Sequence, residues 1–91
     1  MSFNLNSVRE QFSALSQQYN GKPVIFLDGP GGSQVPQSVL DSMTSYLGFY
    51  NSNLGGHFFS SQHTTNLMTQ VRESVQALVN AETPDNMVFG A

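Results

Sequence analysis

The chain has no cysteine, only three basic residues and no long apolar run. The first absence removes disulfide staples, thiolate zinc sites and thiol nucleophiles together, and fits a reducing compartment. Binding to nucleic acid requires clustered cations that displace counterions from the phosphates, and Arg9, Lys22 and Arg72 are scattered along the sequence. Nucleic acid is therefore not an expected partner. No stretch approaches the roughly 18–20 apolar residues of a membrane span, and the opening Met1-Ser2-Phe3-Asn4 lacks the basic-then-apolar order of a secretory signal. The expected location is cytoplasmic, with no membrane partner.

Charge of either sign is also scarce, at 10% of residues against roughly 25% in an average soluble domain. Ser, Asn and Gln number 12, 8 and 8 and take over much of the solvation that charge normally provides. Six acidic residues against three basic ones leave a formal net charge of −3. With 91 residues and 38% hydrophobic content, the chain suits one domain with a modest core.

Hydrophobic spacing predicts the elements. Val8, Phe12, Leu15 and Tyr19 fall on one helical face, so a helix is expected from Ser7 to Tyr19. Ser7 and Glu10 form a capping box at its start, and Asn20-Gly21 tolerates the left-handed backbone that ends it. Val24-Ile25-Phe26-Leu27 reads as a short strand buried on both faces, closed by Asp28. Gly29-Pro30-Gly31-Gly32-Ser33 is a tight loop, since glycine ordering is costly and proline has no amide hydrogen. Pro36 opens a second helix with Val39, Leu40, Met43, Tyr46, Leu47 and Tyr50 at helical spacing, fraying near Gly48. Asn51 to Ser61 reads as a loop with buried aromatic anchors. Thr64 or Thr65 caps a third helix reaching Val79, with Leu67, Met68, Val71, Val75, Leu78 and Val79 on one side. Thr83-Pro84-Asp85 begins a single turn, and Met87-Val88-Phe89 reads as the start of a second strand. There is no internal repeat or low-complexity tract.

Val24-Ile25-Phe26-Leu27-Asp28, followed by a small-residue loop and Val35-Pro36-Gln37-Ser38-Val39, resembles the opening of the class V aminotransferase and cysteine desulfurase family. Asn51-Ser52-Asn53 with Gly56-His57 is similar to that family's Asn/Gly/His loop. Val71-Arg72-Glu73-Ser74-Val75 is similar to its Arg-bearing helix, and Pro84 to Gly90 to the strand that enters the large domain. The resemblance runs from about Lys22 onward. It implies that residues 1–91 form a single N-terminal segment of the fold-type-I architecture of pyridoxal-phosphate enzymes. The Gly-rich loop departs from the family's usual Asn-Ala-Ala after Leu-Asp, which leaves the substrate of a complete relative open.

The cofactor of that family needs a lysine amine for its Schiff base, an acidic partner for the pyridine nitrogen and donors around its phosphate. The resemblance implies that these lie downstream, with the phosphate-binding Gly/Thr turn immediately after Phe89-Gly90-Ala91. Lys22 is the only lysine and does not match the Schiff-base position. No catalytic residue, no metal and no bound cofactor are therefore expected for these 91 residues alone.

The candidate substrate- or anion-binding positions are Gly31, Gly32 and His57. Closely spaced backbone N–H groups ahead of a helix attract anions, yet the same glycines also read simply as a tight turn, because their spacing fits neither Gly-rich nucleotide fingerprint. The resemblance puts Gly31 and Gly32 near the substrate and His57 near the active-site mouth. Read without it, His57 is a loop histidine with a backbone hydrogen bond. His57 and His63 lack the carboxylate or thiolate that would complete a metal set. Asp28 reads as a cap for the loop after it, Arg72 beside Glu73 as a helix-surface ion pair, and the aromatic residues as core or subunit interface.

The expected fold class is α+β and mainly helical, with three amphipathic helices and two short strands that do not pair with each other. Unpaired apolar strands are sticky, so a homo-oligomer is expected, with the long-helix stripe and Phe58-Phe59 buried between chains and elements exchanged. Three functions compete: a non-catalytic N-terminal segment of a pyridoxal-phosphate enzyme relative, a stand-alone oligomeric interaction module, and an anion-binding module using the Gly-rich loop.

Overall fold

The computed structural model describes residues 2–91. The fold is α+β and mainly helical, with three α-helices and one two-stranded antiparallel sheet among the described residues. It forms two compact units, one ending at Ser45 and the other spanning Tyr46–Ala91.

The first unit opens with α1 (Leu5–Arg9), shorter and earlier than the predicted helix. Its cap is Asn4, whose Oδ1 accepts the Ser7 N–H at 3.2 Å, so the Ser7/Glu10 capping box does not form. Local polar competition stops the helix. The Gln11 carbonyl, which a continuing helix would offer to Leu15, accepts the Gln37 N–H at 2.8 Å instead. Phe12 turns extended, and Ser13–Ser16 winds as a 3-10 turn closed by Ser16 Oγ donating to the Ser13 carbonyl (2.7 Å). A five-residue helix has little cooperative reserve against such alternatives.

Asn20 and Gly21 are left-handed, with φ of 52° and 75°, as the sequence predicts, but they turn a hairpin rather than end a helix. They connect β1 (Gln18–Tyr19) to β2 (Lys22–Pro23), with Tyr19 opposite Lys22. Two consecutive left-handed residues match the twist of a two-residue hairpin.

The strands therefore lie elsewhere than the two predicted runs. Val24 donates one bond to the Gln17 carbonyl (3.1 Å), and the ladder goes no further. Val24 and Phe26 are half-buried while Ile25 and Leu27 are 79% and 90% exposed. A strand buried on both faces needs sheet neighbours, and no described residue pairs with this run. Gly29–Gly31 forms a 3-10 turn, and α2 (Gln37–Ser45) follows Pro36.

The second unit begins with one turn of π-helix, Tyr46–Tyr50, where fraying was predicted around Gly48. It continues through the loop 51–58 into α3 (Phe59–Val79). This helix starts several residues before Thr64, the predicted cap, because the hydroxyls of Thr64 and Thr65 serve other partners. It ends at Val79, as predicted; Asn80 beyond it is left-handed (φ 55°), its N–H bonded to the Gln76 carbonyl. A 3-10 turn at Pro84–Asn86 is capped by Thr83. Met87–Phe89 forms no strand, since no neighbouring backbone reaches it.

Among the described residues no apolar side chain is fully buried; the buried ones are Ser61 and Thr64. Phe58 and Phe59, predicted as buried anchors, are exposed. Along α3, Leu67, Met68 and Val71 are half-buried and Val75, Leu78 and Val79 exposed.

Candidate functional site

The loop 51–58 lies on the first turns of α3. Four helix side chains hold it. Ser61 Oγ accepts the Gly56 N–H (2.8 Å) and donates to the Asn53 carbonyl (2.7 Å). Thr65 Oγ1 accepts the Gly55 N–H (3.1 Å), and Gln62 Nε2 donates to the His57 carbonyl (3.0 Å). Thr64 Oγ1 and Tyr46 Oη lie 3.1 Å apart, and both reach the Ser52 carbonyl, at 3.3 and 3.0 Å. Thr64 Oγ1 also reaches its own helix at the Ser60 carbonyl (3.2 Å). Two hydroxyl protons thus serve two carbonyls and each other's oxygen, and either assignment leaves neither hydroxyl orphaned.

The fit is close at one glycine. A Cβ on Gly56 would stand 2.6 Å from Phe58 Cε1, 2.8 Å from Ser61 Oγ and 3.0 Å from Ser61 Cβ. Gly55 takes φ 86°, which glycine adopts without steric cost. An aromatic group holds the π-turn to the same helix: Tyr50 stacks on the His63 imidazole (centroids 3.6 Å, interplanar 11°) and meets Phe59 at 6.0 Å. His63 is thus a packing residue here.

His57 is exposed at the edge of an open concavity of about 410 Å³, lined by Gly55, Gly56, His57, Gln62, Thr65 and Asn66. The hydrogen-bonding groups around it are an imidazole, two carboxamides and a hydroxyl. Such a set can orient a small polar or anionic group; it offers no amine, thiol or carboxylate for covalent chemistry.

Gly31 and Gly32 belong to the first unit. Their amides are already used: Gly31 N–H donates to the Asp28 carbonyl (2.8 Å) and Gly32 N–H to the Gly29 carbonyl (3.0 Å). Asp28 closes the loop through its carbonyl, with no hydrogen bond from its side chain as cap. Lys22 is exposed in β2, away from the concavity beside His57. A Schiff-base lysine needs an enclosed, desolvated setting, so Lys22 and its surroundings do not fit pyridoxal phosphate.

Arg72 is not the surface ion pair expected from its neighbour Glu73. Its Nε is buried without a hydrogen-bond partner, and its guanidinium carbon stands 5.9 Å from the centroid of the Phe89 ring. That contact folds the tail 87–89 back onto α3 beside Val75, around a concavity of about 240 Å³.

Residues 25–90 match the Aminotransferase class-V family. The chain belongs to that family. It is 34% identical to a probable cysteine desulfurase of Vibrio cholerae, 34% to a cysteine desulfurase of Serratia proteamaculans and 33% to one of Escherichia coli. Each comparison covers 98% of this chain and 22% of the relative. The chain therefore spans about a fifth of the length of the curated relatives it matches. The class V resemblance read from Val24–Asp28, Asn51–His57 and Pro84–Gly90 is the family found.

His57 lies in a loop, as its sequence predicts, whereas Ser61, Thr64 and Thr65, expected at a loop end and a helix cap, stand inside α3 and hold that loop. The available signal was Ser60-Ser61 and Thr64-Thr65, four apart on one helical face and three residues beyond Gly55-Gly56, a pattern that brings hydroxyls to a glycine backbone.

Proposed function

We propose that these 91 residues are an N-terminal segment of a class V aminotransferase or cysteine desulfurase type of protein that is non-catalytic by itself. The observation carrying this reading is Lys22: the only lysine stands exposed in a two-residue strand rather than in an enclosed site. The matched relatives are named as cysteine desulfurases, and their activity belongs to chains of which this sequence covers 22%. In this reading no cofactor is retained by the segment. His57, with Gln62 and Asn66 beside it, is the group that meets substrate or an anion when the fold is complete. Gly31 and Gly32 contribute to substrate binding only if their turn opens, because both amides are engaged.

The test is direct. The purified chain, incubated with pyridoxal phosphate and L-cysteine and then desalted, is expected to release no sulfide and to retain no stoichiometric cofactor. Sulfide release or one equivalent of retained cofactor overturns the proposal.

The segment is also proposed to be cytoplasmic and to self-associate. No helix among the described residues is long and apolar enough to cross a membrane. Exposed Leu27, Leu47, Phe49, Leu78 and Val88 support association with a second copy, because apolar side chains left in water favour burial between chains. Light scattering at micromolar concentration that returns only the monomer mass counts against self-association. The same exposed residues support the second reading, an interaction module acting on another protein. Engagement of the Gly31 and Gly32 amides leaves the anion-binding module the weakest of the three.

A further inference from the structure

We infer that Ser61 is the positioning residue of the His57 site, acting through the backbone of Gly56 and Asn53. The inference rests on the reading of His57 as a ligand-facing group and adds what sets its place.

A serine or threonine inside a helix commonly donates to the carbonyl four residues back. Thr65, Thr69 and Ser74 of α3 do so, at 3.0, 3.2 and 3.0 Å. Ser61 does not. The carbonyl four residues before it is that of His57, which accepts from Gln62 Nε2 instead. The Ser61 hydroxyl is turned wholly to the loop, donating to Asn53 and accepting from Gly56. Ser61 is the one described residue with no exposed surface, so water does not compete for either bond. The backbone is thereby fixed on both sides of the His57 side chain: at the Gly56 N–H by Ser61 and at the His57 carbonyl by Gln62. The contacts that a Cβ on Gly56 would make with Ser61 show that the loop is seated directly on this hydroxyl.

The test uses the whole 91-residue chain, labelled for NMR. In the unmodified protein the Gly56 amide is expected to exchange with solvent about tenfold more slowly than the exposed Gly90 amide, the scale of one hydrogen bond. In Ser61→Ala that protection falls to the Gly90 level and the His57 ring resonances move, while the amides of residues 66–79 keep theirs. Unmoved His57 resonances in a folded Ser61→Ala protein overturn the inference. Should Ser61→Ala not fold, fast Gly56 exchange in the unmodified chain overturns it and slow exchange supports it. A parallel titration with inorganic phosphate tests the ligand reading separately: no response there removes the ligand and leaves Ser61 as the residue that places His57.

Discussion

The apolar run Val24–Leu27 and the loop Asn51–Phe58 reverse the usual expectation of what becomes ordered by burial. The run has four consecutive hydrophobic side chains, and two of them stand 79% and 90% exposed. The loop is built of Asn, Ser and Gly with only Leu54, His57 and Phe58 as larger side chains, and it sits over the buried hydroxyls of Ser61 and Thr64. The difference lies in reach. Hydroxyls at the start of α3 meet carbonyls and amides 5 to 12 residues away, so loop closure costs little. A doubly buried strand requires neighbours on both sides, and no segment among the described residues supplies them.

The sharpest way to break the comparison is at Gly56. Ala there forces its Cβ to within 2.6 Å of Phe58 and 2.8 Å of the Ser61 hydroxyl, and Ser61, being on a helix, has little room to retreat. Overpacking of this kind costs about 1–3 kcal/mol. Thermal unfolding followed by near-UV circular dichroism is expected to show a lower midpoint for Gly56→Ala. An unchanged midpoint would mean that the loop is not seated on the helix.

Thr64→Val is the next largest. It keeps the side-chain shape and removes one hydroxyl from the group formed with Tyr46 and the carbonyls of Ser52 and Ser60. Tyr46 can still donate to Ser52, so the loss is one buried bond, about 1–2 kcal/mol. A double-mutant cycle with Tyr46→Phe is expected to be non-additive, because the two hydroxyls share acceptors.

Asn80 tests the helix end apart from the loop. Its φ of 55° is left-handed, which costs a residue with an ordinary Cβ about 1 kcal/mol more than glycine. Asn80→Ala is expected to lower stability by about that amount and Asn80→Gly to leave it nearly unchanged, both read by urea unfolding.

The sequence made legible what depends on one residue type at one place. Pro36 leads into α2, Pro84 starts a turn, and the ordered set of short motifs reports the family. Asn20-Gly21 shows the limit: left-handed backbone was readable, but helix end and hairpin demand the same two residues, and what distinguishes them is pairing outside those two, between Gln11 and Gln37 and between β1 and β2. Val24–Leu27 and Met87–Phe89 form no strand for a related reason. Their composition is that of strands, but strand formation is decided by neighbours. At the candidate site, His57 was readable from its loop, while Ser61, Thr64 and Thr65 were not, since small polar side chains look the same whether they cap a helix, face water or carry a loop.

The smallest effect on stability is expected in the first region of the comparison, and its smallness is informative. Leu27 is 90% exposed, so Leu27→Ser removes almost no burial within the chain and is expected to shift stability by about 0.5 kcal/mol or less. If copies of the chain cover this run in one another, the same substitution must act on association, because burying a leucine side chain between molecules contributes about 1.5–3 kcal/mol. Sedimentation equilibrium of the two proteins in the analytical ultracentrifuge at matched concentrations separates the cases. Weaker self-association for Leu27→Ser with an unchanged unfolding midpoint assigns the run to an intermolecular contact, whereas a lowered midpoint with unchanged association places its stabilising role within the chain. The loop on α3 predicts the converse pattern at Gly56, a lower midpoint at constant association, so the two regions are distinguished by which measurement responds.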